Sequence, residues 1–527
     1  MQFDLNMPAQ LSGALGPDLL LMGGAMLLLL WAGWRRESDE HQRSVGVLSM
    51  ALCIFTMVAV GYYAWRGYTA TTGAVAVDNF RWAVDEILLI ATLGTIAMSL
   101  DYNRREGITP GESHVLLLLA TSGMMILAAA RDLIIVFLGI ELMSIAVYVL
   151  VGLNRRRERS AEGAIKYFLL GAFSTAFLLY GIALVYGATG STNLSVIAGR
   201  TSLYGLTSSP LLIAGIAMLL IGFGFKVATV PFHMWAPDVY DGAPSPITAY
   251  MAATVKAAAF AAFIRVWLEA FPFSFNTWHP ALSGLAIATM IVGNAIGLAQ
   301  KNLKRMLAYS SIGHAGYILV AVAAGTFQGS SAMLFYVFIY TLATFRAFAV
   351  VVALTRDGQN TVMLEELDGL WTVRPGLSLA MAVLMLALMG FPIFGGAGFL
   401  AKWYVLQAAL QAPVRQTTLA VVLVLTTVIS AGYYLYVLVR MFMRPRPEAY
   451  PAPEKTGGLT QAVLGLSVAL LLIIGFVPEG AVEAARLGRP RMDVEPVTTN
   501  IPRPSAAITP PDSARRIAES GAAAHRQ

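Results

Sequence analysis

Four ionisable residues lie well inside long apolar runs of this chain: Glu141, Lys226, Lys256 and Lys402. Each disfavours insertion by about 2.5–3.5 kcal/mol at the centre of a lone membrane helix. Four together approach about 10 kcal/mol, comparable to the net stability of a whole domain. Groups kept against such a penalty are hydrated, paired or used. One carboxylate and three amines at helix centres suit the stepwise passage of a proton. Desolvation disfavours the ammonium form of a lysine, and a nearby carboxylate favours it. If the Glu141 carboxylate moves or takes up a proton, Lys226 becomes a better acid, and the pair titrates as a unit. The plainer alternative is a Glu–Lys pair that only holds helices together.

Other polar residues are more ambiguous. Lys166 lies within two turns of the start of its run, where a lysine can snorkel to the interface. Arg131 and Asp132 fall at a junction between runs and read as a surface pair. His233 and His314 fit a core histidine as well as a relay, and Met and aromatic stripes elsewhere read as packing or lipid-facing. Spacing adds one clue. From Glu141 to His314 is 173 residues, and from Lys226 to Lys402 is 176. An offset of five runs, an odd number, would invert a second copy relative to the first. The single cysteine, Cys53, can form no internal disulfide, and an iron–sulfur cluster needs about four ligands. The six histidines are scattered without metal-ligand spacing, no Gly-rich loop follows a strand, and no Ser/His/Asp arrangement is visible. Redox cofactor chemistry therefore belongs to another protein.

The elements that position these residues follow from composition. Of 527 residues, 57% are hydrophobic and 13% charged, and the mean hydropathy is +0.67. Soluble domains carry about 25% charged residues, so the chain reads as an all-α polytopic membrane protein. Its net charge of +6 sits in short loops, where it orients helices and is not a nucleic-acid footprint. Spanning needs about 20 apolar residues, and about 14 runs qualify: 17–34, 45–66, 80–100, 114–130, 132–153, 162–187, 207–230, 246–269, 281–300, 304–325, 329–354, 376–411, 417–442 and 459–477.

Two runs read as broken. The run 376–411 would be about 54 Å long as one helix, and it contains Phe391-Pro392-Ile393-Phe394-Gly395-Gly396-Ala397-Gly398. The seventh run meets Val230-Pro231-Phe232 and stays apolar through Trp235. Interrupted helices in matching halves point to a transport site. The expected layout is a three-helix segment (1–105), two inverted five-helix repeats each with a discontinuous helix (106–270 and 271–445), a last span (446–478) and a mostly disordered tail (479–527). Basic loops after runs 1, 3, 5, 9, 11 and 13, including Arg155–Arg159, Arg356 and Lys455, place those loops in the cytoplasm and both termini outside. The first run lacks the basic region and small-residue site of a cleaved leader and is expected to be retained.

At these residues the chain resembles the antiporter-like membrane subunits of respiratory complex I. The matching stretches are Phe137-Leu138-Gly139-Ile140-Glu141-Leu142-Met143-Ser144, then Gly224-Phe225-Lys226-Val227-Ala228 and Pro231-Phe232-His233-Met234-Trp235-Ala236-Pro237-Asp238. They continue through Ala243-Pro244-Ser245-Pro246 to Lys256, and through Leu303-Lys304-Arg305-Met306-Leu307-Ala308-Tyr309-Ser310-Ser311-Ile312. Within the family, Lys402 stands where the M type has glutamate, and the chain ends soon after the last span without the long lateral helix of the L type; both features resemble the N type.

The resemblance implies Glu141 and Lys226 as the coupled pair of a first half-channel and Lys256 as the central relay. It implies His314 as the bridge to Lys402, the terminal group, and Lys166 as an auxiliary charge. No cofactor is expected in this chain; NADH, FMN and iron–sulfur sites would belong to partner subunits, with ubiquinone or menaquinone as substrate of the complex. The implied partners are the bilayer and other complex I membrane subunits, further antiporter-like ones included, in a bacterial inner membrane. The rival is a subunit of a multi-subunit cation/proton antiporter or of a proton-pumping hydrogenase. A purely structural scaffold is the third reading.

Overall fold

The computed structural model describes residues 2–3, 8–70, 73–355, 362–392, 396–448, 453, 457–488 and 490. Among them, thirteen helices are long and apolar enough to cross a bilayer. In chain order we name α1 (Gly16–Trp34), α2 (Asp39–Trp65), α3 (Asn79–Arg105), α4 (Glu112–Ala129), α5 (Leu133–Val151) and α6 (Glu158–Thr189). Next come α7 (Pro210–Val227), α8 (Trp235–Gly242), α9 (Ser245–Glu269), α10 (Phe275–Leu298), α11 (Leu303–Ala323) and α12 (Phe327–Leu354). Last are α13 (Pro375–Met389), α14 (Gly396–Gln411), α15 (Thr417–Met443), α16 (Gly458–Phe476) and the short α17 (Glu479–Leu487). Polar caps start several spans: Ser38, Asp78, Asp132, Asn302 and Thr326 each accept a backbone N–H from the first turn, which satisfies groups the helix itself leaves open.

Burial grades from centre to rim. Helix α9 is 100% buried and α11 and α12 are 94% buried, whereas α1, α2, α6, α15 and α16 are buried over only 28–33%. The three central helices therefore form the core. Close backbone approach holds it. A Cβ at Gly293 would stand 2.5 Å from the Gly313 nitrogen between α10 and α11, and one at Gly139 would stand 3.0 Å from the Gly123 oxygen between α4 and α5. Small residues at such crossings give van der Waals packing where no hydrophobic drive separates helix from lipid.

Both expected interruptions are present. Helix α7 stops at Val227, Ala228 takes a left-handed conformation (φ 59°), and the chain resumes as α8. The freed groups find partners: Trp235 Nε1 donates to Phe225 O at 3.1 Å, Thr229 N to Gly224 O at 2.8 Å, and Val230 N to Thr289 Oγ1 at 3.0 Å. Such internal satisfaction is what irregular backbone at membrane depth requires. The run 376–411 is divided into α13 and α14, with Gly390 left-handed at φ 81°; residues 393–395 of that break lie outside the described residues. A third irregularity was not anticipated: α9 contains a π turn, Met251–Val255, directly before Lys256.

One backbone pattern recurs. Before α5, Leu133 N donates to Thr192 O (2.9 Å) and Leu194 N to Arg131 O (2.9 Å). Before α11, Leu303 N donates to Val362 O (2.9 Å) and Leu364 N to Lys301 O (2.8 Å). From 133 to 303, and likewise from 192 to 362, is 170 residues. Helix α6 begins at Glu158, four residues before the expected start, because Glu158 fits a first turn where helix-end amides favour acids. Within the segment 479–527, Glu479–Leu487 form α17, with Glu479 in its first turn, Arg486 in its last and Ala485 buried. Residue 489, residues 491–527, and the loop residues Arg356 and Lys455 lie outside the described residues.

Candidate functional site

Lys226 occupies the last turn of α7 and is 2% exposed. Its Nζ donates to Ser144 Oγ at 2.7 Å and to Tyr148 Oη at 3.5 Å, both on α5. Glu141, Ser144 and Tyr148 share one face of α5 at helical spacing. Glu141 itself is half-buried and accepts from Thr175 Oγ1 on α6 at 2.8 Å. The carboxylate and the amine are therefore neighbours on one face but not a direct ion pair; Ser144, one turn beyond Glu141, is the atom Lys226 touches. Its hydroxyl donates in turn to Ile140 O at 2.5 Å.

Lys166 stands more than two turns into α6 with its side chain 42% exposed. It pairs with Glu162 at 2.6 Å and with Asp238 of α8 at 3.0 Å, and Asp238 also binds Arg305 at 3.0 Å. The half-helix after the first break is thus tied to α6 and α11 by charge. His233 lies in the turn between α7 and α8.

The second group is deeper and richer in hydroxyls. Lys256 Nζ donates to Ser311 O (2.7 Å) and Ser311 Oγ (2.5 Å), and Tyr340 Oη donates to the same Ser311 Oγ at 2.7 Å. One turn along α11, His314 meets Tyr336 Oη through Nδ1 (2.8 Å) and Tyr434 Oη through Nε2 (3.0 Å). Tyr434 also bonds Ser310. The imidazole packs edge-on against Tyr317, centroids 5.6 Å apart, and Lys402 Nζ lies 4.8 Å over that Tyr317 ring. Lys402, in α14, donates to Met389 O at 2.9 Å, the last residue of α13 before the break. Lys256, His314 and Lys402 are 2%, 4% and 7% exposed. Sequence reasoning missed the tyrosines: Tyr336, Tyr340 and Tyr434 were expected to pack, and their hydroxyls instead join the lysine and histidine groups. The four-residue spacing of Tyr336 and Tyr340, one face of a helix, was the available signal.

The two groups face different joints. Helices α7 and α9 meet through Phe223 against Phe263, stacked at 5.2 Å, and against Trp267 at 5.5 Å. That contact is aromatic and carries no hydroxyl or carboxylate.

Further buried charges lie outside the expected relay. Arg265 is fully buried and binds Glu269 Oε1 (2.9 Å) and both oxygens of Asp78 (2.9 and 3.0 Å). Arg131 and Asp132 are not the expected surface pair. Arg131 is buried with its Nε 3.1 Å from Glu269, and Asp132 caps α5 while accepting from Thr192. A carboxylate at the end of α9 lets the guanidinium turn inward. Lys304, wholly buried, donates to Asp241 O (3.1 Å) and Ala243 O (2.8 Å) at the end of α8, and Arg346 donates to Ser467 O of α16 at 2.7 Å.

Comparison with known proteins places this arrangement among others. Residues 130–430 match the family model described as NADH:quinone oxidoreductase/Mrp antiporter, TM. NADH-quinone oxidoreductase subunit N of Gemmatimonas aurantiaca is 49% identical over 512 residues, 93% of this chain and 98% of that protein. A chain of respiratory complex I from Thermus thermophilus with bound aureothin is 34% identical, with a TM-score of 0.74 over 90% of this chain and 100% of that one. A chain of the Mrp complex from Dietzia sp. has a TM-score of 0.77 over 89% and 96% of the two chains at 20% identity, a likeness of fold alone.

Proposed function

Because the chain belongs to the NADH-quinone oxidoreductase subunit N family, we propose that it is the proton-translocating membrane subunit of an NADH:quinone oxidoreductase. The observation that carries this reading is the buried series Lys256–Ser311, His314–Tyr434 and Tyr317–Lys402, with a lysine at either end and hydroxyls between. Amines, an imidazole and phenols can each hand on a proton without large movement. Glu141 and Lys226 form the coupled pair of the first half, Lys256 the central relay, His314 the bridge and Lys402 the terminal group. Lys166 is an auxiliary charge that biases α8 through Asp238.

Ser144 gives the first pair a switching geometry. Lys226 held on Ser144 is uncoupled from direct contact with Glu141, and a small rotation would bring the two charges together or apart. The recurrent backbone bonds at a 170-residue offset support two five-helix repeats, and an odd number of spans between copies supports their inversion. In this reading NADH, FMN, iron–sulfur clusters and the quinone, ubiquinone or menaquinone, are handled by partner subunits. The chain works in a bacterial inner membrane beside other membrane subunits, antiporter-like ones included, with both termini on the outer side. The cation/proton antiporter reading keeps the same fold, but relatives at this identity and coverage are named for the oxidoreductase.

Lys226→Arg is the direct test. Arginine keeps the charge but effectively never releases its proton. The variant assembles yet takes up protons in vesicles as poorly as Lys226→Ala, per assembled complex. Wild-type uptake by Lys226→Arg would make Lys226 a fixed charge. Purification in detergent separates the rival: NADH dehydrogenase subunits come down with the chain, and their absence would favour the antiporter. With Cys53 removed, an impermeant thiol reagent labels a cysteine placed in the tail of intact cells but not one beside Arg157; the reverse pattern would overturn the orientation.

A further inference from the structure

A second buried charged cluster lies where α1 and α3 begin. Asp18 of α1 is 3% exposed, and Arg81 and Asp85 of α3 are fully buried. Arg81 Nη2 bonds Asp18 Oδ2, and Nη1 donates to Ala14 O (3.3 Å) and Ala76 O (3.2 Å). Its guanidinium lies 4.5 Å over the Trp82 ring. Asp85 is left with the weaker share: Arg81 Nε stands 3.4 Å from its Oδ2, and among the described residues neither carboxylate oxygen receives a hydrogen bond. Asp18 Oδ1 receives none either. The other ionisable groups facing Asp18 and Asp85 are Glu86, next along α3, and Tyr63 of α2, whose hydroxyl is spent on Gly13 O at 2.8 Å. Neither supplies a positive charge.

Charge balance distinguishes this cluster from the one beside it. Asp78 and Glu269 face Arg265 and Arg131, two carboxylates against two guanidiniums. Among the described residues, Asp18 and Asp85 face Arg81 alone. A fully ionised pair would bury one carboxylate with no donor and no counter-charge of its own, a state that buried groups escape by neutralising. Two carboxylates in one site hold a proton between them.

We infer that Asp18 and Asp85 hold one exchangeable proton between them, and that this pair is a proton site on the route from Lys256 to the side where α1 and α3 begin. The inference rests on the reading of the chain as a proton translocator. Its link to the relay is electrostatic and runs through one element: Lys256 and Arg265 share α9, nine residues or about 14 Å apart along the helix. Arg265 grips Asp78, and Asp78 accepts the Arg81 backbone N–H at 2.9 Å. A change of charge at Lys256 is thus felt by the guanidinium that Asp18 and Asp85 share.

The test uses the assembled complex in vesicles. Asp85→Asn keeps the shape and leaves one carboxylate for one guanidinium. At neutral pH, infrared spectra of the wild type contain a neutral carboxylic-acid carbonyl band that the variant lacks, and proton uptake per quinone reduced falls about five-fold or more. Asp18→Asn gives the same two losses and serves if Asp85→Asn does not assemble. An unchanged band in the assembled variants, or full uptake despite loss of the band, would overturn the site. Normal pumping by Lys226→Arg with both losses in Asp85→Asn would overturn the relay at Lys226 and leave this pair standing.

Discussion

Lys226 and Lys402 each abut an interrupted helix, yet they sit in unlike surroundings. Around Lys226 the polar partners are one serine and one tyrosine, and its carboxylate neighbour Glu141 is half-buried beside α6, a helix buried over only 33%. Around His314 and Lys402 there are four tyrosines, and α12, which carries two of them, is 94% buried. The reason is which elements cover each half. Helices α3, α9, α14 and α16 pack against α12, while much of α6, including Ile165, Phe168, Leu169 and Phe173, remains exposed. If both groups relay protons as proposed, the first is open to its surroundings, whereas the second is enclosed with its own hydroxyls.

That contrast orders the expected effects of substitution. The largest is at Lys256, whose near neighbours Ser311 and Tyr340 are hydroxyls and carry no second amine: Lys256→Met lowers proton uptake per assembled complex at least about ten-fold. Normal uptake would break the view that the inner half is the obligatory route. Glu141→Gln follows, with uptake and coupled quinone reduction down several-fold and Glu141→Asp retaining part of both. Equal activity of Gln and wild type would reduce the carboxylate to a space-filler. Smaller again is the loss of one hydroxyl. Tyr434→Phe removes the partner of both His314 and Ser310 and slows uptake about five-fold, the kinetic equivalent of about 1 kcal/mol. Tyr148→Phe, which gives up only a 3.5 Å contact, stays near wild type; the reverse ranking would assign the dense network to packing.

The smallest effects compare the two breaks. Ala228 holds a left-handed conformation that L-residues adopt at a cost of about 1 kcal/mol or more, so Ala228→Gly raises the thermal midpoint of the purified complex slightly and leaves uptake unchanged. Gly390→Ala lowers it, because its φ is 81° and the new Cβ would stand 3.1 Å from Lys402 Cδ. Its uptake also falls, since that contact displaces the amine.

Much of this was legible in the chain because membrane burial writes long signals. Apolar runs located the spans, and proline and glycine marked both breaks. Mid-run position picked out Lys226, Lys256 and Lys402, which the structure holds within hydrogen bonds of neighbouring helices. What stayed hidden depends on which face of a helix meets which neighbour. Tyr434 is nothing but an aromatic residue in a span until α15 is laid against α11. Arg265 looks unpaired along the sequence, although Glu269 stands one turn away, because Asp78 is brought to it from 187 positions earlier. The π turn before Lys256 has no distinctive sequence mark, since Met251–Val255 contain neither proline nor glycine and lie in an apolar run.

The half-buried Glu141 bears on how such a chain is made. Before any neighbouring helix arrives, α5 carries a carboxylate near its middle. On insertion scales an unshielded acid there is unfavourable by about 2.5–3.5 kcal/mol, enough to shift an inserted fraction more than ten-fold. Within the folded chain the Thr175 hydrogen bond and the half-burial of Glu141 offset part of that cost, so α5 becomes settled in the membrane only once α6 is laid against it.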